Sequence, residues 1–232
     1  MRCRRLEARL GADGALWKQV WAARVLSRRE RELFGALRVP EARQLEWLAA
    51  RTAAKDGIAE LVREARDVEL LPGEIEILPD ERGRPLVQAP GLEQLGLAAS
   101  VSLAHARGLA AAFVALVPSG SQTAVGLDLE PFVGRPTGFA EAALPEDERR
   151  LLERLPSEAA DEWLLRLWCA REAAGKALGS GLNPRLGAPT VTSIDPERER
   201  VQVALNGHRL LVRTSRDQSL IVATTVSKEE DG

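Results

Sequence analysis

DEWLLRLWCAREAAGKALGSGL, residues 161–182, decides the fold more than any other stretch of this chain. Its apolar residues, Leu164, Leu167, Trp168 and Leu178 among them, recur at helical spacing, and Gly179 and Gly181 offer the left-handed residue that stops a helix. Trp168, Glu172 and Lys176 are four apart and share one face. A carboxylate and an ammonium one turn apart can serve a charged ligand, or they can form an exposed ion pair with no further role.

Downstream, VTSIDP, RVQVALNG and HRLLVRTSRDQSLIVATTV carry β-like alternation before the acidic tail KEEDG, which is expected to fray. Upstream, LPEDERRLLERL reads as a helix whose acidic first turn complements the helix dipole. A Gly- and Pro-rich loop separates it from TAVGLDLEPF, a strand closed by Pro131. Residues 100–116 read as two strands about a turn at Ala106 to Gly108, and residues 73–88 as a hairpin around Asp80 to Pro85. EARQLEWLAARTAAKDGIAELVREA is a second long helix, burying Leu45, Leu48, Ala49, Thr52 and Ile58. Before it, a strand or short helix leads to Leu26; a helix then starts near Arg28 with Ser27 and Glu30 as a capping box, and Pro40 ends it.

Helices followed by β-rich sequence occur twice. Ala50-Arg51-Thr52-Ala53-Ala54-Lys55 echoes Ala170-Arg171-Glu172-Ala173-Ala174-Gly175-Lys176, although alanine-rich helices also match by chance. A true repeat makes this an α+β chain of two similar halves, residues 1–117 and 122–232, with a ligand expected in the cleft between them. Thr52 stands where Glu172 does, so chemistry would belong to the second half.

Composition narrows the function. The chain has 232 residues, 45% of them hydrophobic, enough for a sizeable core, and its net charge of −2 lacks the uniform basic surface of a nucleic-acid binder. No apolar run approaches membrane-spanning length and the N-terminus lacks a signal-peptide core, so no membrane partner is expected. Cys3 and Cys169 have no metal spacing and suit a reducing compartment, giving a cytoplasmic expectation. Of 32 basic residues only Lys18, Lys55, Lys176 and Lys228 are lysines, leaving 28 arginines. Lysine and guanidinium do different work, so the lysines that persist draw notice.

In Gly126-Leu127-Asp128-Leu129-Glu130, strand geometry puts Asp128 and Glu130 on one face and the two leucines in the core. That is either a solvated acidic face or two thirds of a cation site. With Glu172 it makes three oxygen donors without a His or Cys ligand motif, which favours Mg²⁺.

GLDLE followed some forty residues later by WCAREAAGKALGSGL resembles the 4′-phosphopantetheinyl transferases of the larger, Sfp-like type, with their (V/I)G(V/I)D(I/L)E strand and W-x-x-K-E-(A/S)-x-x-K-x-x-G-x-G-L helix. RQLEWLAARTAAKD from Arg43, Gly83-Arg84-Pro85 and the strand Val101 to His105 extend the resemblance over most of the chain. It implies a pseudo-dimer of two α+β halves, acting as a monomer, that moves phosphopantetheine from coenzyme A to a serine of an acyl or peptidyl carrier protein and releases 3′,5′-ADP. It implies Asp128, Glu130 and Glu172 as Mg²⁺ ligands, and Arg43, Arg84 and His105 at the nucleotide end with its 3′-phosphate. Lys176 is implied at the phosphates, Arg171 near the pyrophosphate, and Glu148, or else Glu172, as general base. The chain departs from the pattern at Arg171 (lysine in the family), Ala104 (serine) and Ala50 (glycine). Two rivals remain at this point: a carrier-protein-binding domain of the same fold that has lost turnover, and an unrelated Mg²⁺-dependent phosphohydrolase using the same acidic pair.

Overall fold

The computed structural model describes residues 2–7, 14–132, 139–180 and 187–227. Gly181, Leu182 and the KEEDG tail lie outside the described residues. The chain divides into two compact units, one reaching Thr123 and the other starting at Ala124.

The first unit runs β1 (Arg2–Glu7), α1 (Gly14–Val25), α2 (Arg28–Ala36), α3 (Glu41–Arg66), β2 (Glu76–Pro79), β3 (Pro85–Gln88), α4 (Pro90–Gln94), β4 (Leu97–Ala106) and β5 (Leu109–Pro118). β5 lies between β1 and β4 in an antiparallel three-stranded sheet, and β2 and β3 form the expected hairpin. α3 packs on the sheet, with Ala53, Ala54, Ile58 and Val62 against Val101, Ala112 and Val114. Alanine on both surfaces lets helix and sheet approach closely.

Ser27 caps α2 as its sequence predicts: its side chain accepts from the Glu30 backbone N–H, and the Glu30 carboxylate accepts from the Ser27 N–H at 2.8 Å. The segment leading to Leu26 is helical rather than extended. Pro40 does not end α2, which stops at Ala36; the proline is instead the N-cap of α3, where its missing N–H costs nothing. The N-terminal RCRRLE, polar to read, is an edge strand on β5.

The second unit runs β6 (Ala124–Pro131), α5 (Phe139–Ala143), α6 (Glu146–Leu152), α7 (Ala160–Ala177), β7 (Thr190–Asp195), β8 (Arg200–Leu205), β9 (His208–Asp217) and β10 (Leu220–Ser227). Its antiparallel sheet has the order β6-β10-β9-β8-β7. α7, the helix of the opening stretch, crosses that sheet and centres a core of Leu164, Leu167, Ala170, Ala173 and Ala174 against Val201, Val212, Ile221 and Ala223. Gly179, at φ 71°, follows its C-cap Leu178.

Candidate active site

Gly126 sets the distance between β6 and α7. A Cβ at this position would lie 1.9 Å from the Ala173 carbonyl oxygen, so only glycine lets the strand press onto the helix this closely. The approach brings Asp128 under α7: Lys176 Nζ donates to Asp128 Oδ1 at 2.8 Å and to the Leu127 carbonyl at 3.0 Å. Leu127 and Leu129 are buried on the core side, as alternation requires.

Asp128 is itself buried and its Oδ2 has no partner at hydrogen-bond geometry, although the Cys169 thiol and the Leu129 N–H also favour the charged carboxylate. Burial pushes its pKa up, and the Lys176 ammonium only partly offsets this. Glu172, half-buried on α7, is pushed up by burial and then by the Asp128 charge. The buried Cys169 thiol is driven well above its ordinary value by burial, then by Asp128 and Glu130. Three carboxylates therefore act on one locality, offset by the Lys176 ammonium and, at Glu172, by the Arg171 guanidinium as well.

No three His, Cys, Asp or Glu side chains among the described residues are already gathered around one point as a metal cage. The donor set nevertheless fits a hard divalent cation. Such an ion would supply the partner that Asp128 Oδ2 lacks and relieve the repulsion between Asp128 and Glu172, and it binds through one or two carboxylates plus water and phosphate without needing a full protein cage.

Two other expected residues are enclosed by the second unit. Glu148, expected as a general base in an acidic first turn, sits in the first turn of α6 with 1% of its surface exposed. Neither carboxylate oxygen has a hydrogen-bond partner, burial raises its pKa, and its nearest cation is Arg171 Nη1 at 3.7 Å. As placed, it cannot touch an incoming serine. Arg171, expected beside a pyrophosphate, is equally enclosed: Nε donates to the Pro189 carbonyl at 2.8 Å and Nη1 to the Ala143 carbonyl at 2.7 Å. Its guanidinium faces inward because those carbonyls would otherwise be buried unpaired.

In the first unit Arg43 and His105 do meet, with Arg43 Nη1 3.0 Å from His105 Nδ1. A residue that the sequence reading missed joins them. The Glu46 carboxylate, almost wholly buried, accepts from Arg43 at 2.9 Å, lies 3.1 Å from His105 Nδ1, and accepts from the Gly108 N–H at 2.7 Å. The i,i+3 spacing of Arg43 and Glu46 on α3 was the available signal. Arg84 is on the β2–β3 turn, its Nε donated to Asp80 at 2.7 Å and its guanidinium half-exposed. Ala104, where the family has serine, is buried.

A model of the 4′-phosphopantetheinyl transferase superfamily matches residues 124–225, starting at the first residue of the second unit. The holo-[acyl-carrier-protein] synthase of Geobacillus kaustophilus (strain HTA426) is 37% identical over 100 residues, 43% of this chain and 74% of the relative. That of Halalkalibacterium halodurans is 32% identical over 93 residues, 40% of this chain and 73% of the relative. Among solved structures, the holo-(acyl-carrier-protein) synthase from Bacillus anthracis in complex with CoA (3′,5′-ADP) is similar over 50% of this chain and 94% of its own, at 24% identity and a TM-score of 0.40. The relatives are holo-[acyl-carrier-protein] synthases, whereas the sequence motifs pointed to the larger, two-halved type. At this level of identity and coverage, the chain belongs to the 4′-phosphopantetheinyl transferase superfamily.

Proposed function

We propose that this chain transfers the 4′-phosphopantetheine group of coenzyme A to a serine hydroxyl of an acyl or peptidyl carrier protein, releasing 3′,5′-ADP, with Mg²⁺ held by Asp128, Glu130 and Glu172. The observation that carries the reading is the buried Asp128 with its unpartnered Oδ2 and its Lys176 contact, built by β6 and α7 inside the region that matches the superfamily. A bound Mg²⁺ would neutralise charge on the pyrophosphate of coenzyme A. Lys176, already half-exposed at the same carboxylate, supplies an ammonium to the phosphates. Arg43 and His105, aligned by Glu46, and Arg84 hold the nucleotide end and its 3′-phosphate.

The serine Oγ forms a bond to the phosphorus that carries pantetheine; the P–O bond to 3′,5′-ADP breaks and the electron pair leaves with the nucleotide. Glu172, which unlike Glu148 is not sealed inside the unit, takes the serine proton through an intervening water. The larger two-halved type is the finer assignment, supported by the pairing of one long helix with an antiparallel sheet in each unit. Such a chain would act as a monomer in the cytoplasm. Separately, no described helix is long and apolar enough to cross a membrane.

The reading of a domain without turnover rested on Arg171 and Ala104. Both side chains are enclosed, Arg171 on the Pro189 and Ala143 carbonyls, so carrier modification, rather than their placement, separates the two readings. Mass spectrometry of apo acyl and peptidyl carrier proteins, incubated with this chain, coenzyme A and Mg²⁺, tests the proposal. One phosphopantetheine added per carrier, lost on chelation, is expected. Carriers that bind but stay unmodified would select the degenerate reading.

A further inference from the structure

The two units repeat a device that the sequence echo touches only at one end. In the first unit Glu30 is the third residue of α2 and fully buried; in the second, Glu148 is the third residue of α6 and 1% exposed. Both belong to a Leu-x-x-x-Glu run, Leu26-Ser27-Arg28-Arg29-Glu30 and Leu144-Pro145-Glu146-Asp147-Glu148. Each faces a buried arginine of the following long helix, Arg51 Nε at 3.9 Å from Glu30 and Arg171 Nη1 at 3.7 Å from Glu148. A backbone N–H of the second residue of a strand acts on each: Ile77 of β2 donates to Glu30 Oε1 at 3.2 Å, and that of Val191 in β7 favours the charged form of Glu148 without reaching hydrogen-bond geometry.

The carbonyls correspond as well. The residue five before the glutamate, Val25 or Ala143, and a proline ahead of that strand, Pro72 or Pro189, each offer a carbonyl to a long-helix cation. In the first unit Lys55 takes both carbonyls and Glu30 besides, while the Arg51 guanidinium lies on Trp47, 3.3 Å from the ring centroid. In the second unit the fork of Arg171 takes both carbonyls alone. In register with Arg51 and Lys55, the second unit has Arg171 and Gly175, so no ammonium stands at the place of Lys55; Lys176, one residue further on, turns to Asp128.

The device occurs complete in a unit whose long helix has Thr52 at the place of Glu172, so it does not require the carboxylate site. We propose that Glu148 and Arg171 are positioning residues, a duplicated brace that fixes the rotation of α7 and so the placement of Glu172 and Lys176, rather than a general base and a pyrophosphate contact. Arginine at position 171 follows from this: one rigid fork reaches two carbonyls, which a single ammonium at the same place does less well.

The inference deepens the transferase reading, and its test is arranged so that the two can fail separately. The full chain and its Arg171→Met, Glu148→Gln, Arg171→Met/Glu148→Gln and Arg51→Met variants are compared by melting, by Mg²⁺ calorimetry and by carrier modification across a range of pH. Both arginine variants should lose several degrees of Tm, since each unbalances a buried charge cluster. Adding Glu148→Gln should return part of the loss in the second unit, because the stranded charge is gone. Arg171→Met alone should weaken Mg²⁺ binding and raise half-saturating Mg²⁺ about fivefold or more, with kcat at saturating Mg²⁺ less affected, whereas Arg51→Met should leave Mg²⁺ binding unchanged.

A Tm unchanged in Arg171→Met, an equal Mg²⁺ shift in both arginine variants, or a Glu148→Gln enzyme that loses a limb of its kcat–pH profile would overturn the brace. A wild-type chain that modifies no carrier would instead defeat the transferase reading, and melting and calorimetry would still decide the brace.

Discussion

At the scale of single residues, Asp128 couples the site to the fold: it is buried, its pKa is raised, and one of its oxygens is left for a ligand. Asp128→Ala should lower transfer by about 10²–10³-fold or more, the range seen when one electrostatic contact to a transition state is removed. Because the burial cost of the carboxylate goes with it, Tm in chelator should change by no more than a few degrees. Initial rates and melting curves on one protein preparation check both, and a wild-type rate would remove Asp128 from the metal site. For His105 and Arg43, alanine should weaken coenzyme A more than dephospho-coenzyme A. A charge-assisted hydrogen bond to phosphate contributes about 1.5–3 kcal/mol, or roughly 10–100-fold in KM. Equal losses with both nucleotides would show that neither side chain reads the 3′-phosphate.

Glu148 gives a pH prediction of definite sign. Its folded pKa is raised above its ordinary value by burial, so protonation favours the folded state. The associated stability is complete below the ordinary carboxylate range and is lost as pH rises through the raised value. A chelated wild-type protein should therefore gain Tm from Glu148 as pH falls from neutrality toward that range. Glu148→Gln, neutral throughout, should show a flatter Tm–pH curve. A curve as steep as wild type would mean that Glu148 is not the group responsible.

Between elements, the closeness of β6 and α7 is the controlling feature, and Gly126 bears it. Gly126→Ala places a methyl group on the Ala173 carbonyl, an obstacle made of backbone, so the strand must back away from the helix. Overpacking of this kind costs typically 1–3 kcal/mol, and here a value at or above the upper end is expected, with loss of the Lys176–Asp128 contact. Denaturant melts combined with the transfer assay check this; full activity at normal stability would refute the close-approach argument. Much of this element was legible in sequence, since GLDLE alternates cleanly and α7 has helical spacing with its carboxylate and ammonium on one face. What could not be read was long-range or contextual. β1 pairs with β5, more than a hundred residues distant, and its arginines hide the strand. Glu148 sits among charged neighbours that suggest a solvated helix face, and only packing against α7 and β7 encloses it. The inward fork of Arg171 follows from carbonyls in two other segments, which no local pattern announces.

For the molecule as a whole, the candidate ligands of coenzyme A and of the cation are divided between units that each have a core of their own. Asp128, Glu130, Glu172 and Lys176 belong to the second unit; Arg43, Arg84 and His105 belong to the first. A ligand stabilises what it binds, by about 2.7 kcal/mol at a hundred times its Kd. Mg²⁺ alone should therefore slow amide hydrogen exchange in β6 and α7 while leaving α3 and β4 as they were. Coenzyme A added with Mg²⁺ should extend protection to the peptides around Arg43 and His105, and Asp128→Ala should erase the Mg²⁺ effect. Protection by coenzyme A confined to the second unit would take the nucleotide assignment away from Arg43 and His105 while leaving the metal site standing. Protection of both units by Mg²⁺ alone would mean instead that the cation is not held by the carboxylates of β6 and α7 alone, since none of them belongs to the first unit.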